Sequence, residues 1–157
     1  MRQHRRAVRY QLAAEAAEAA VSLDVLSEDG LRFIAALLSG ERPVIYGDGG
    51  QSRDFTYVAN VVDANLRAAE ATDGIGEVMN VAMGERTTLN ELLEVLKKLT
   101  GRTDAEAEYR ETRVGDVRHS LADITRARQL LGFEPRVGLE EGLRKTYEWW
   151  KQSRFAK

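Results

Sequence analysis

Gly40-Glu41-Arg42-Pro43-Val44-Ile45-Tyr46-Gly47-Asp48-Gly49-Gly50-Gln51-Ser52-Arg53-Asp54-Phe55-Thr56-Tyr57-Val58 is the stretch on which the fold turns. Pro43 to Tyr46 is short and β-favouring, and Gly47-Asp48-Gly49-Gly50 is turn chemistry, because glycine supplies backbone angles that other residues avoid. Asp54 to Val58 reads as a second strand. Upstream, Leu31, Ile34, Leu37 and Leu38 follow the 3.6-residue period of a helix that Asp29 can cap and Gly40 ends. Downstream, Val61, Val62, Leu66 and Ala69 lie on one face of another helix, closed by Gly74 and Gly76. Helix, strand, turn, strand, helix predicts an α/β domain.

The remainder extends that pattern. Glu77 to Ala82 reads as a third strand, and Thr88 with Glu91 has capping-box spacing at the head of a helix bearing Leu89, Leu92, Leu93, Leu96 and Leu99, stopped by Gly101. Ala105 to Glu111 can be extended, though it is too polar for the centre of a sheet. A loop, Thr112 to Ser120, precedes a helix capped by Asp123, carrying Ile124, Ala127, Leu130 and Leu131 and ended by Gly132 and Pro135. The last helix carries Leu139, Leu143, Tyr147 and Trp150. The expected fold is α/β: a small mixed sheet with flanking helices.

Composition narrows the chemistry. Of 157 residues, 43% are hydrophobic and 31% charged, which suits one globular core, and 23 basic against 25 acidic residues give a net charge of −2. That balance recommends neither a nucleic-acid nor a membrane-surface partner. No run approaches the ~18 apolar residues of a membrane span, so the expectation is a soluble, cytoplasmic domain. The absence of cysteine removes disulfides and thiol catalysis, and with only His4 and His119 no metal site is expected. Arg2, Arg5, Arg6 and Arg9 precede an alanine-rich run, Ala13 to Ala20, but Glu15 and Glu18 inside it are unlike a transit peptide. Residues 1–28 are read as a helical leader of unknown role, and 29–157 as the domain.

Two arginine-bearing elements could hold an anion. The cluster Gly47-x-Gly49 has Ser52 where a third glycine would complete a dinucleotide fingerprint, and no Gly-Lys-Ser/Thr phosphate loop occurs. Arg53 follows this turn, and a guanidinium beside backbone amides can grip a phosphate bidentately. The second element is Arg110-Glu111-Thr112-Arg113-Val114-Gly115-Asp116-Val117-Arg118. A plain surface turn accounts for the first cluster as well, and a hydrophilic loop balanced by Glu111 and Asp116 accounts for the second.

Four blocks in order change the reading: G-E-R-P-V-I-Y-G-D-G-G-Q-S-R-D-F-T-Y-V, V-M-N-V-A-M-G-E-R-T-T-L-N-E-L, R-V-G-D-V-R-H-S-L-A-D-I-T-R-A-R-Q-L-L-G-F-E-P and L-E-E-G-L-R-K-T-Y-E-W-W. Together they resemble the C-terminal half of the extended short-chain dehydrogenase/reductase family. They are most similar to its nucleotide-sugar 4-epimerases and dehydratases, and cover Leu31 to Trp150. In that family the N-terminal half is a Rossmann domain holding NAD with a Tyr-x-x-x-Lys catalytic pair, and the C-terminal half supplies much of the nucleotide-sugar pocket. The resemblance implies that Arg53 and Arg113 hold a diphosphate, that Asp116 accepts hydrogen bonds from ribose hydroxyls, and that Val44 and Tyr46 meet the uracil through backbone and ring. It implies no cofactor site in these residues, because the family's NAD is held by the half they do not resemble.

Asn60 stands where many members have Asp, and Ala59 where an acidic residue is common. Tyr147-Glu148-Trp149-Trp150-Lys151 reproduces the catalytic spacing in the wrong half, and Leu143, Tyr147 and Trp150 form a packing stripe instead. The resulting expectation is a remnant or fragment of a nucleotide-sugar epimerase or dehydratase, equivalent to its substrate domain without the Rossmann half. It would bind a UDP-sugar weakly and perform no complete catalysis alone. Its partners would be a nucleotide-sugar and either a second copy of itself or a Rossmann domain. The competing expectation is a non-enzymatic, self-associating interaction domain on the same fold.

Overall fold

A computed structural model describes residues 28–155, so the arginine cluster at Arg2 to Arg9 and the Ala13 to Ala20 run lie outside the described residues. The elements run α1 (Glu28–Ser39), β1 (Val44–Tyr46), β2 (Ser52–Arg53), α2 (Val58–Glu70), β3 (Thr87–Thr88), α3 (Leu89–Thr100), β4 (Glu108–Arg110), α4 (Thr125–Leu131) and α5 (Leu139–Phe155). The class is α/β, with parallel and antiparallel pairing divided between two ladders. β1 pairs parallel with β4, and β2 pairs antiparallel with β3.

Helix periodicity converts directly into packing. Phe33, Ile34 and Leu37 of α1 meet Leu89, Leu92, Leu93 and Leu96 of α3, with Ile45, Phe55 and Leu143 completing the core. Ile45 is fully buried between the half-buried Val44 and Tyr46, so the strand alternation sends Ile45 into the core and the other two to the opposite face. Leu139, Tyr147 and Trp150 of α5 pack on the same cluster. A second cluster joins Ala64 of α2, Ala127 of α4 and Phe133.

The expected capping box is present: the Thr88 side chain accepts from the Glu91 backbone N–H, while the Glu91 carboxylate accepts from the Thr88 N–H at 2.7 Å. Gly101 closes α3 in the left-handed conformation at φ 72°. Asp29 lies within α1 rather than at its cap. Asp123 stands before α4 and accepts from the Thr125 N–H at 2.9 Å.

Two strand expectations are corrected, Asp54 to Val58 and Glu77 to Ala82, while the extended Ala105 to Glu111 contains β4. Asp54 to Val58 is not a strand: pairing covers only Ser52 and Arg53, Phe55 drops into the core, and Val58 opens α2. Asp54 instead uses its carboxylate to fasten irregular chain, accepting from the N–H groups of Met83, Gly84 and Ala122 at 3.0–3.3 Å. Glu77 to Ala82 has strand-like composition but no ladder, and Val78 is 84% exposed. An extended segment becomes a strand only where a neighbour takes its backbone groups. Of Ala105 to Glu111, only Glu108–Arg110 pairs.

Asn60, the departure noted in the sequence, is 2% exposed at the start of α2. Its Oδ1 accepts from the N–H groups of Arg136 and Val137, both at 3.0 Å, and its Nδ2 donates to the Val137 carbonyl at 2.8 Å. It ties α2 to the segment leading into α5.

Candidate nucleotide-binding patch

The patch is built where β1 ends. Pro43 O accepts from Glu108 N and Gly47 N donates to Arg110 O, both at 2.8 Å. Since consecutive residues of a strand direct their backbone groups to opposite edges, Val44 and Tyr46 direct theirs away from β4; there Gln51 Nε2 donates to the Tyr46 carbonyl, and the Val44 groups lie on the unladdered edge of β1. Such an edge can read the hydrogen-bonding side of a planar base.

The Gly47–Gly50 turn is then seated on the N-terminus of α3. Asn90 N donates to Gly49 O and Leu89 N to Gln51 O, each at 3.1 Å, which satisfies two first-turn amides that a helix leaves without partners. Asn90 Nδ2 adds a bond to Asp48 O at 3.0 Å, and its Oδ1 accepts from the Tyr109 hydroxyl at 3.1 Å. Gly49 has φ 74°, and a Cβ there would lie 2.0 Å from Asn90 Oδ1, so glycine is required.

Beyond the turn, Ser52 stitches the second arginine element onto β2. Ser52 N donates to Arg118 O at 2.9 Å and Ser120 N to Ser52 O at 3.0 Å, while Ser52 Oγ lies 2.9 Å from His119 Nδ1. Asp48 and Arg118 close a bidentate pair with both bonds at 2.8 Å. That pair, led by the Arg118 hydrogen bonds and helped by the Gly50 amide, holds the Asp48 carboxyl down at about 2.

This framework brings four of the five sequence-derived site residues into direct contact. Arg53 Nη2 lies 2.7 Å from Asp116 Oδ1, and Arg53 Nη1 donates to Val117 O and Ser52 O. The Arg113 guanidinium sits over the Tyr46 ring, 3.8 Å from its centroid. Hydrogen bonding from Arg113, and then from Arg110, draws the Tyr46 phenol below its ordinary value. Val44, the fifth, shares the Tyr46 face of β1. Asp116 thus sits on Arg53 in this structure.

Sequence reading missed Asp48, Asn90, Arg118 and the Ser52–His119 contact. Their partners lie 42 to 70 residues away, and spacing carries no information at that range. Tyr147 behaves as packing: Lys151 Nζ is 5.7 Å from its ring centroid, and the ring lies on the core cluster.

Chemically, the patch offers planar cations, an aromatic platform, an open strand edge and a carboxylate, the set suited to a base joined to a phosphate ester. The fold is that of an α/β domain with this patch at the end of β1. The family described as GDP-mannose 4,6 dehydratase matches residues 24–146. The UDP-glucose 4-epimerase of Mycolicibacterium smegmatis is 42% identical over 119 residues, covering 76% of this chain and 37% of that protein. The UDP-glucuronate 4-epimerase of Thermodesulfobacterium geofontis is 35% identical over 124 residues, 78% of this chain and 37% of that protein. Among solved structures, UDP-glucose 4-epimerase from Thermotoga maritima with UDP-glucose superposes with a TM-score of 0.74 at 44% identity, covering 83% of this chain and 42% of that one. The chain belongs to the extended short-chain dehydrogenase/reductase family of nucleotide-sugar epimerases and dehydratases. It spans roughly two fifths of the length of the relatives it matches.

Proposed function

We propose that these residues form the uridine-diphosphate-holding part of a nucleotide-sugar site. Arg53 and Arg113 would take the diphosphate, Val44 and Tyr46 the base, and Asp116 the ribose hydroxyls once a phosphate replaces it on Arg53. The carrying observation is that Tyr46, Arg53, Arg113 and Asp116, drawn from segments some 60 residues apart, meet in two direct contacts on one loop. The relatives' names, UDP-glucose and UDP-glucuronate 4-epimerase, support a UDP-sugar as the ligand class.

Epimerisation at a sugar carbon needs a hydride carrier and a base beside it. The family's carrier is NAD, and these 157 residues contain no Gly-x-Gly-x-x-Gly fingerprint. These 157 residues by themselves are therefore expected neither to bind NAD nor to turn over UDP-glucose. Two charge-assisted contacts contribute roughly 3–6 kcal/mol before ordering costs, which places UDP affinity at about tens of micromolar to millimolar. Calorimetry with UDP, UDP-glucose and NAD tests this: heat with the first two and none with NAD is expected, and turnover by the purified chain would refute it.

A second reading rests on exposure. Ile75 and Val78 in one segment, and Val114 and Val117 in another, are 60–106% exposed. If either exposed pair meets a second copy, the chain is a self-associating interaction domain. A stable dimer by sedimentation, indifferent to UDP-sugars, would favour it.

A further inference from the structure

Arg113 and Asp116 are the two ends of one β-turn. Asp116 N donates to Arg113 O at 3.2 Å, and Gly115 at the third position has φ 87°, the left-handed angle a type II turn requires there. The turn is pinned on both sides: by Gly47 N on Arg110 O before it, and by the Ser52 backbone bonds and the Asp48–Arg118 pair after it. Between those anchors residues 111–117 are all exposed and carry no ladder of their own. The contacts holding them down include those of the binding patch itself: the Arg113 guanidinium over Tyr46, the Asp116 carboxylate on Arg53, and the Val117 carbonyl accepting from Arg53 Nη1.

We propose that the Arg113–Asp116 turn is a built-in stand-in for the ligand, with Arg113 occupying the platform of the base and Asp116 the cation of the phosphate, so that nucleotide binds only by exchange with the turn. The proposal rests on the functional reading above. Exchange suits the parts. A base displacing Arg113 from Tyr46 releases that guanidinium toward the diphosphate, and a phosphate displacing Asp116 from Arg53 releases that carboxylate toward the ribose. The turn thus competes with the ligand before contact and completes its site afterwards. Its anchors restrict the rearrangement to a few residues around Gly115. The Arg53–Asp116 pair, with side chains 22% and 29% exposed, is open enough to exchange without unfolding the domain.

The device separates ligand fragments, which gives the test. Inorganic pyrophosphate has no ribose to reward Asp116, and uridine has no phosphate to reward Arg113. With the full chain at low salt, Asp116→Asn should bind pyrophosphate about fivefold more tightly than the parent, a gain that shrinks as salt rises. UDP should gain less, because it loses its ribose acceptor. Arg113→Gln should bind pyrophosphate more weakly yet uridine more tightly, read by calorimetry and NMR titration respectively. If Arg53→Ala abolishes pyrophosphate binding but Asp116→Asn brings no gain, the exchange is wrong and the site stands. If the parent binds no pyrophosphate, or Arg53→Ala leaves its binding intact, the site and the exchange fall together.

Discussion

Replacing Gly49 by alanine should reshape the turn that carries the patch, and the structure fixes how much this costs. The new methyl would lie 2.0 Å from Asn90 Oδ1 and 2.5 Å from Asn90 Cγ, so the Asn90 side chain must swing away. That forfeits its bonds to Asp48 O and from the Tyr109 hydroxyl, about 0.5–1.5 kcal/mol each. Alanine at φ 74° adds about 1–2 kcal/mol of left-handed strain. Gly49→Ala should therefore destabilise the domain by about 2–5 kcal/mol in urea denaturation followed by circular dichroism. Asn90→Ala removes the obstacle. In that background Gly49→Ala should cost only the strain, leaving a coupling of about 1–3 kcal/mol between the two sites. Additive costs, or a Gly49→Ala variant within ~0.5 kcal/mol of the parent, would refute the seating of the turn on α3.

Asn60→Ala removes the buried amide that accepts from the N–H groups of Arg136 and Val137 and donates to the Val137 carbonyl, and should cost about 1–3 kcal/mol in the same assay, while a surface control such as Glu94→Ala should be near neutral. The Asp48 carboxyl, drawn below 3.8 to about 2 by Arg118, contributes stability that is present above pH ~4 and lost as pH falls toward 2, so Asp48→Asn should flatten the stability profile across that interval. An unchanged profile would mean the pair does not persist in solution. Tyr147→Phe should leave UDP binding untouched, because the ring packs on the core; a loss of binding would return Tyr147 and Lys151 to the functional list.

The elements most legible from sequence were those whose causes are local. The capping box at Thr88 and Glu91, the left-handed Gly101 and the leucine stripe of α3 are set by residues within one or two turns, and they stand as expected. Strands were read less well because the partner decides them. Glu77 to Ala82 and Asp54 to Val58 have the composition of strands, yet Val78 faces solvent and Phe55 is drawn into the core. At the patch, Arg53 and Arg113 were legible as residue types, but the pairing of Arg53 with Asp116 and the clamp between Asp48 and Arg118 were not. Those pairs are set by how β2 lies against the segment 118–120.

The central claim is that Arg53 and Arg113 hold a nucleotide diphosphate, and titration calorimetry of the 157-residue chain with UDP at low salt tests it most directly. The account predicts a dissociation constant of about tens of micromolar to millimolar that weakens as salt rises and is lost in Arg53→Ala and in Arg113→Ala. UDP binding that persists undiminished in the double variant would contradict it.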